Sequence, residues 1–316
     1  MQWQKKGLLV PKAPGQYSHA SHPTAICIQE NLFLIAFSGR NKEQRSHIFL
    51  VLAHFDDGEV RITSDPVLAM QPGAPGTFDC DGLLSCNFVW DGPNLYLYYC
   101  GWQNLPNRMW HCDTGRLLVD VNNLRLQREF LGPIMGRSID VPLYAVATVV
   151  RKISDNSWIS WYNRGLSWNY DGKEWIPKYG IHLAHSSDGV KWKCGDELVI
   201  PFLDASEHSF GRPTVLVYQG KYYMWFAARG AFGNTTYRIG FATSENGENW
   251  IRRDDLSGID VSPSGWDSDA VCYPFVLQHK EHLYLLYNGN NYGISGFGYA
   301  VTHKNNLVNL FLNSNK

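Results

Sequence analysis

A sequence pattern recurs five times along this chain, about sixty residues apart, and it constrains the fold more than any other feature. Each copy opens on a short apolar run, continues into an aromatic strand and ends in a polar turn that closes on tryptophan. The run starts are His22-Pro23, Asp81-Gly82-Leu83-Leu84, Asp140-Val141-Pro142, Arg212-Pro213 and Tyr273-Pro274. With residues 23, 84, 142, 213 and 274 as markers, the gaps are 61, 58, 71 and 61 residues. A period of this length with several short strands per unit predicts an all-β fold, a five-bladed β-propeller.

The strands within each copy predict antiparallel, four-stranded blades. Segments 95–102, 221–228 and 282–288 are aromatic runs of strand length, and each follows another strand-like run after a tight polar turn. Such turns join antiparallel neighbours. Residues 3–11 read like residues 192–201, which follow a turn tryptophan, so we predict that the N-terminal segment supplies the outer strand of the last blade and closes the ring. A loose N-terminal arm is the alternative.

Two turn sequences align with each other most easily. Residues 184–192 and 242–250 share Ala, Ser, Gly and Trp at matching positions, and Asp-Gly and Asn-Gly are strong hairpin signals. These segments are therefore predicted to be turns and not active-site loops. Residues 1–303 are expected to form a single propeller domain, followed by a partly disordered tail at 304–316. Two insertions, 101–113 and 163–179, are expected either to rim a pocket or to pack over the propeller mouth.

Composition and motifs argue against several classes of function. The net charge is −1, so no overall field attracts nucleic acid or an anionic membrane. The seven cysteines show no metal-ligand spacing, and dinucleotide and phosphate-loop motifs are absent, so neither a metal nor an organic cofactor is expected. The sequence shows no secretory signal and no stretch long enough to cross a bilayer. We therefore expect a cytoplasmic protein with reduced thiols, no membrane span and no nucleic-acid partner.

The first strand of each propeller blade lines the central axis, so residues at the five strand starts are expected to meet. From blade one to blade five, the mouths, by which we mean these strand starts, carry the following polar residues: His19 and His22; Asp79 and Asp81; Arg137 and Asp140; Glu207, His208 and Arg212; and Asp267 and Asp269. The insertions add aromatic and basic candidates, Trp102, Arg164 and Trp168. We expect one mostly acidic funnel, in which arginines and histidines offset the repulsion between carboxylates.

Paired carboxylates on opposite sides of a pocket are what cleavage of a glycosidic bond requires. One carboxyl group protonates the leaving oxygen while the other activates water or attacks the anomeric carbon. Carboxylates at four of the five mouths favour this chemistry. The alternative is structural, because an acid before a strand also accepts backbone N–H bonds or pairs with an arginine.

The chain resembles the five-bladed propellers of glycoside hydrolase families 43, 32 and 68 and their relatives in families 117 and 130. The resemblance covers about residues 19–303 and depends on the Ser-x-Asp/Asn-Gly-x-x-Trp turns and on segments 207–213, 265–269 with Pro274, 287–292 and 296–298. It implies that Glu207 is the general acid and that Asp140 tunes this acid and orients the substrate.

One position departs from that family pattern. Families 43 and 32 place the base or nucleophile aspartate on the first blade, just before proline, where this chain has His22. Either Asp81 or Asp79 replaces that aspartate, or the histidine transfers the proton, or the chain does not hydrolyse glycosides.

Two hypotheses follow. In the first, the protein is an intracellular enzyme that cleaves or transfers a glycosidic bond of an oligosaccharide or glycoconjugate, with Glu207, Asp81 and Asp140 as catalytic residues. The remaining candidates then bind the substrate: His22, Asp79, Arg137, Arg212, His208, Asp267, Asp269, Trp102, Arg164 and Trp168. In the second, it is a non-catalytic glycan-binding or glycan-assembly propeller that lacks the blade-one base.

Overall fold

The computed structural model describes residues 1–230 and 235–307, and these form a five-bladed β-propeller. Each blade is an antiparallel sheet of four strands, except that two short strands share the outer edge of blade one. Short parallel contacts, such as Ser46 with Gly82 and Tyr179 with Ser209, link neighbouring blades. No helix among the described residues is long and apolar enough to span a membrane.

The strands occupy four positions within the blades. The innermost are β2 (Ser18–Gln29), β7 (Gly82–Asp91), β11 (Tyr144–Ser154), β15 (Ser209–Tyr218) and β19 (Cys272–His279). The second are β3 (Leu32–Arg40), β8 (Asn94–Asn104), β12 (Ser157–Tyr170), β16 (Lys221–Arg229) and β20 (His282–Asn288). The third are β4 (Ser46–Asp56), β9 (Trp110–Asp120), β13 (Trp175–Ser186), β17 (Arg238–Ser244) and β21 (Phe297–His303).

The outer strands are shorter, and the helical segments whose two ends are described are single turns. The outer strands are β5 (Glu59–Ile62) with β6 (Val67–Met70), β10 (Arg125–Arg128), β14 (Trp192–Leu198), β18 (Trp250–Arg252) and β1 (Gln4–Val10). The single turns are two 3-10 segments, Pro106–Arg108 and Asp254–Leu256, and α1 (Asn290–Gly293); residues 305–307 are also helical.

The N-terminal segment closes the ring, which confirms the prediction from residues 3–11. Strand β1 pairs antiparallel with β21, from Gln4 opposite Val301 to Val10 opposite Phe297. Just before it, the buried Trp3 meets Trp225 of blade four edge to face, with ring centroids 5.7 Å apart. The first residues of the chain therefore complete blade five and remove an exposed strand edge. Residues 308–316 of the expected tail lie outside the described residues, and the single-domain division stays a prediction.

The predicted turns hold neighbouring blades together. Within the turn that follows β13, Ser186 accepts a hydrogen bond from the Gly189 N–H (2.9 Å), and the Gly189 carbonyl accepts one from the Tyr98 hydroxyl of blade two (2.7 Å). The Gly247 carbonyl accepts a bond from the Trp161 indole of blade three in the same way (2.8 Å). Because these backbone groups bind the preceding blade, the turns have a structural role.

Every innermost strand carries a β-bulge at the same depth. The register shifts there fall between residues 21 and 24, 85 and 87, 146 and 149, 211 and 214, and 272 and 275. A bulge bends its strand and re-aims a side chain. In three blades the bulged residue precedes proline and has positive φ: His22 (54°), Arg212 (47°) and Tyr273 (53°).

The bulges correct the repeat alignment in the middle of the chain. Counted from His22, Cys86, Thr148, Arg212 and Tyr273, the gaps are 64, 62, 64 and 61 residues, which is more even than the spacing of the run starts. The blade-three marker at Pro142 is wrong, because residues 140–142 lie before β11 and the equivalent bulge is at Thr148.

Candidate functional site

A cavity of about 470 Å³ opens at one end of the propeller axis. One bulged residue from each innermost strand lines it: His22, Cys86, Thr148, Arg212 and Tyr273. The five bulges therefore build the floor of the cavity, where each bend turns a side chain toward the axis. Burial raises the pKa of the Cys86 thiol to about 12, so this floor residue is not a thiolate nucleophile at neutral pH.

Arg212 crosses the axis from blade four to blades one and two. Its guanidinium donates to the carbonyls of His22 (3.2 Å), Pro23 (2.9 Å) and Ser85. The side chain also borders a second cavity of about 300 Å³ on the far side. Only 4% of Arg212 is exposed, and its acceptors are backbone carbonyls of the innermost strands with no carboxylate among them. The residue thus ties three blades together and separates the two cavities.

His22 and Tyr273 stack beside Arg212, with ring centroids 4.0 Å apart and planes at 23°. The His22 N–H donates to the Asn288 side-chain oxygen (2.8 Å), which helps to hold the strained backbone. Burial, followed by the nearby cations Arg212 and Arg40, holds the pKa of His22 well below its usual range. His22 is therefore a neutral imidazole at neutral pH, and it contributes hydrogen bonding and an aromatic face to the floor.

Three further arginines line the cavity wall, Arg40, Arg108 and Arg229. Arg40 and Arg229 are equivalent, because each ends the second strand of its blade, opposite Ser18 and Ser209 at the inner strand starts. The Arg40 guanidinium lies over the Trp102 ring at 5.6 Å, and its buried Nε has no hydrogen-bond partner among the described residues. The Arg229 Nε donates to the Thr235 carbonyl (3.1 Å). None of the three forms an ion pair with a described carboxylate.

The two insertions are long hairpins that rim the cavity, so the first of the two expectations for them is confirmed. Trp110 on β9 and Trp168 on β12 meet edge to face at 5.5 Å, which joins the hairpins of blades two and three. The Tyr179 and Tyr237 hydroxyls are 2.7 Å apart across the wall. Burial raises the pKa of Tyr237 well above its usual value, so this phenol stays protonated.

Glu174 is the one carboxylate that borders the cavity among the residues the structure describes. It lies in the β12–β13 hairpin, at the exposed rim. Because residues 231–234 and 308–316 contain no Asp or Glu, every acidic side chain of the protein belongs to the described part. The expected acidic funnel is therefore not what the blades form: the cavity is cationic and aromatic.

Glu207 lies beside the cavity in a closed ion pair. Its two carboxylate oxygens accept hydrogen bonds from Arg252 at 2.6 and 2.8 Å, and one also accepts the Leu203 N–H at 2.7 Å. Both side chains are buried, with 2% of the Glu207 side chain and 5% of the Arg252 side chain exposed. Glu207 precedes the inner strand of blade four, and Arg252 lies on its outer strand. The contact fastens the two edges of one blade.

The same contact recurs in two other blades. The buried Asp79 pairs with Arg128 at 2.6 Å, and the buried Asp267 pairs with Lys5 at 2.7 Å. In each case the acid precedes the inner strand and the cation lies on the outer strand of that blade. We call the three pairs Asp79–Arg128, Glu207–Arg252 and Asp267–Lys5 the blade latches. The recurrence of acids at the strand mouths follows from this repeated latch.

The other predicted acids also lie outside the cavity lining. Asp81 accepts the Asn104 N–H (2.8 Å), while Asp140 and Asp269 are exposed. The expectation that these acids converge with Glu207 is corrected, because latch formation and loop contacts hold them away from the axis. Of the remaining candidates, Arg137 pairs with Asp113 at 2.9 Å. Arg164 donates to the carbonyls of Gly195 and Asp140, both at 3.3 Å.

Five of the predicted site residues do line the cavity: His22, Trp102, Trp168, His208 and Arg212. Sequence reasoning missed Arg40 and Arg229 and the tyrosines of the cavity wall, which are Tyr144, Tyr179, Tyr237, Tyr273 and Tyr292. Two sequence signals identify part of the cavity lining. The first is the residue before proline at 22, 212 and 273, and the second is an arginine that ends an aromatic strand, as at positions 40 and 229.

Comparison with curated proteins shows the family. A Mycobacterium tuberculosis protein named Uncharacterized protein MT1551, from strain CDC 1551, is 35% identical over 307 residues, covering 95% of this chain and 99% of the relative. The chain belongs to the MT1551 family. Uncharacterized protein Rv1502 of strain H37Rv matches with the same identity and coverage. No family model matches the chain.

Solved structures show that this member of the MT1551 family shares the propeller fold of glycosidases. A structure named "Glycoside hydrolase" has a TM-score of 0.69 at 14% identity, covering 95% of this chain and 90% of its own. The RS223 β-xylosidase has a TM-score of 0.58 at 13% identity, with 94% of each chain covered. A thermostable family-43 glycoside hydrolase has a TM-score of 0.55 at 13% identity, with 93% and 91% covered. The resemblance predicted from the sequence is thereby confirmed for the fold.

Proposed function

We propose that this protein binds a glycan in the axial cavity and does so without the paired carboxylates of a glycosidase. The observation that carries the proposal is the composition of the cavity, where tryptophans, tyrosines and arginines surround a single carboxylate at the rim. Glycosidic cleavage by a carboxylate pair requires two such groups about 5 to 9.5 Å apart. The cavity lining supplies one, so binding is the function that the geometry supports best.

The shape of the site supports a saccharide as ligand. A concave site with flat aromatic side chains and a few convergent polar groups is typical of small-molecule recognition. The rim tryptophans Trp102, Trp110, Trp168 and Trp175 offer apolar faces, and protonated tyrosines such as Tyr237 offer hydrogen-bond donors. Sugars present both kinds of surface, apolar C–H faces and hydroxyl groups. The names of the similar structures, a glycoside hydrolase and a β-xylosidase, point to the same ligand class.

Glycosidic bond cleavage or transfer is the second candidate, and one observation favours it. Glu174 and the neutral His22 both line the cavity, and a carboxylate and an imidazole are able to exchange protons with a substrate. The catalytic roles assigned to Glu207, Asp81 and Asp140 from the sequence draw no support from their positions. Cytoplasmic location belongs to this proposal as an expectation only.

A matched pair of tryptophan variants tests the binding proposal. Trp175 is 38% exposed at the cavity rim, and Trp90 is 41% exposed at the opposite end of the propeller. Binding is measured to an array of neutral and acidic oligosaccharides. We expect Trp175→Ala to weaken the best binder at least tenfold, or about 1.4 kcal/mol, and Trp90→Ala to leave it unchanged.

Two results would count against the proposal. The first is no binding by the wild type anywhere on the array, and the second is an equal loss in both tryptophan variants. Mass spectrometry of the same oligosaccharides after incubation tests the second candidate. Cleaved or transferred products that vanish in Glu174→Gln would make the protein an enzyme rather than a binding propeller.

A further inference from the structure

We propose that the ligand of the axial cavity is anionic: a glycan whose carboxylate or phosphate group is held by Arg40, Arg212 and Arg229. This inference rests on the proposed glycan-binding function and adds the chemical class of the ligand. It begins from an imbalance of charge, since four arginines line the cavity and the lone carboxylate, Glu174, is at its exposed rim.

Elsewhere in the described protein, several buried or half-buried arginines pair with carboxylates, although single arginines such as Arg151 and Arg164 bind backbone carbonyls. Arg116 pairs with Glu129 at 2.5 Å, Arg128 with Asp79 at 2.6 Å and Arg252 with Glu207 at 2.6 Å. The cavity arginines lack such partners. A buried cation without a counter-charge is costly to keep. Retention of several in one concave site is expected where a ligand brings the missing negative charge.

Arg212 is the most buried of the cavity cations. Its three hydrogen bonds to backbone carbonyls use three of the five guanidinium N–H groups, so donors remain for a ligand. Backbone carbonyls orient the guanidinium but carry no net charge. An oxyanion at the cavity floor would complete both the hydrogen bonding and the charge, in the planar geometry that arginine favours for carboxylate and phosphate.

Arg40 and Arg229 extend this anion site from the cavity floor along the cavity wall. Arg40 lies over the Trp102 ring and lines the cavity, and no described carboxylate pairs with its guanidinium. The groups around Arg229 are neutral, because burial keeps the pKa of Tyr237 and Tyr273 well above the usual range. Phenols and thiols of the cavity therefore donate hydrogen bonds and do not balance the arginines.

The inference is tested on three oligosaccharide pools that are neutral, carboxylated or phosphorylated, with four proteins: wild type, Arg40→Gln, Arg229→Gln and the control Arg61→Gln. Arg61 is exposed on the outer strand β5 and is not part of the cavity lining. Arg212→Gln is left out because Arg212 ties the inner strands together. We expect binders only in the acidic pools, with at least a tenfold loss in Arg40→Gln and Arg229→Gln and less than a twofold change in Arg61→Gln. Which acidic pool binds distinguishes carboxylate from phosphate.

The outcomes separate the two proposals. Neutral glycans that bind as well as acidic ones, with no loss in Arg40→Gln, would overturn the anionic ligand and leave glycan binding standing. If no glycan binds, glycan binding fails, and thermal shift with inorganic phosphate and with glucuronate then decides the anion site separately. A rise in melting temperature in the wild type that is absent in Arg40→Gln and Arg229→Gln supports the site. No rise, or an equal rise in these variants, overturns it.

Discussion

The axial cavity and the edges of the blades handle charge in opposite ways. At the blade edges, a buried acid meets a cation of the same blade, as Glu207 meets Arg252 at 2.6 Å. In the cavity, Arg40, Arg212 and Arg229 meet carbonyls, rings and open space. The difference indicates that the blade latches serve architecture, whereas the cluster of unpaired arginines in the cavity marks the place where a ligand is expected.

The two regions also differ in what their charges do for stability. A latch carboxylate that loses its partner becomes an uncompensated buried charge, which costs several kcal/mol. The wall arginines Arg40 and Arg229 have no carboxylate to leave behind, so their removal is expected to cost little. Sites of this kind commonly sacrifice stability for binding. The predictions below separate the regions on this basis.

The largest effect is expected for Glu207→Gln. The substitution removes the bidentate partner of the buried Arg252, which keeps only its contact with Asp254, so the free energy of unfolding should fall by about 3 kcal/mol. The control is Glu281→Gln, because Glu281 pairs with Lys304 at 2.7 Å but is 60% exposed. Exposed pairs contribute about 1 kcal/mol or less. Denaturant unfolding of both variants measures the difference.

The opposite result would restore the catalytic hypothesis for Glu207. A Glu207→Gln protein that keeps wild-type stability but loses a glycosidase activity would show that the carboxylate acts on substrate and that its pairing with Arg252 is secondary.

A second prediction concerns His19, which lies next to the cavity on β2. Burial, and then the Arg40 charge, lowers its pKa from 6.5 to about 4. Because the folded pKa lies below the unfolded value, the stability contributed by neutral His19 is complete above about pH 6.5 and is lost as the pH falls through about 4. Arg40→Gln should raise this pKa part of the way toward 6.5, since burial remains. NMR titration of the ring protons measures it, and an unchanged pKa would mean that the Arg40 charge does not reach His19.

The smallest effect is expected for the stability of Arg40→Gln without ligand. Because no described carboxylate pairs with Arg40, the free energy of unfolding should change by less than about 1 kcal/mol or rise. Arg128→Gln is the matched comparison, since it strips the buried Asp79 of its cation and should cost about 3 kcal/mol. Equal losses in the two arginine variants, measured by denaturant unfolding, would remove the distinction between cavity and latch.

Much of the architecture could be predicted from the sequence, because propeller geometry repeats. The aromatic strands, the Ser-Asp-Gly turns and the closure by residues 3–11 all repeat or complete a unit, and each has a local signal. The blade-three alignment failed for a local reason as well. Val141-Pro142 imitates the residue-proline pairs of other blades, whereas the true bulge at Thr148 has no proline.

The site was harder to predict, because a repeated acid has the same sequence pattern whether it catalyses or fastens a blade. Asp79, Glu207 and Asp267 could be told from catalytic acids only by their partners Arg128, Arg252 and Lys5. The acid and the cation of each latch are separated by 45 to 262 residues, and no local motif links them. His22 and Arg212 were found because each precedes proline at the start of its repeat, and Trp168 because it lies in an insertion.

Arg212 has one more consequence, which concerns the shape of ligand that the proposed site admits. The Arg212 guanidinium bridges blade four to blades one and two between the two cavities. The channel along the propeller axis is therefore closed at the floor of the axial cavity. A polymer cannot be threaded through it. Only a tip or a side branch can enter, and whatever enters must back out through the tryptophan-lined opening.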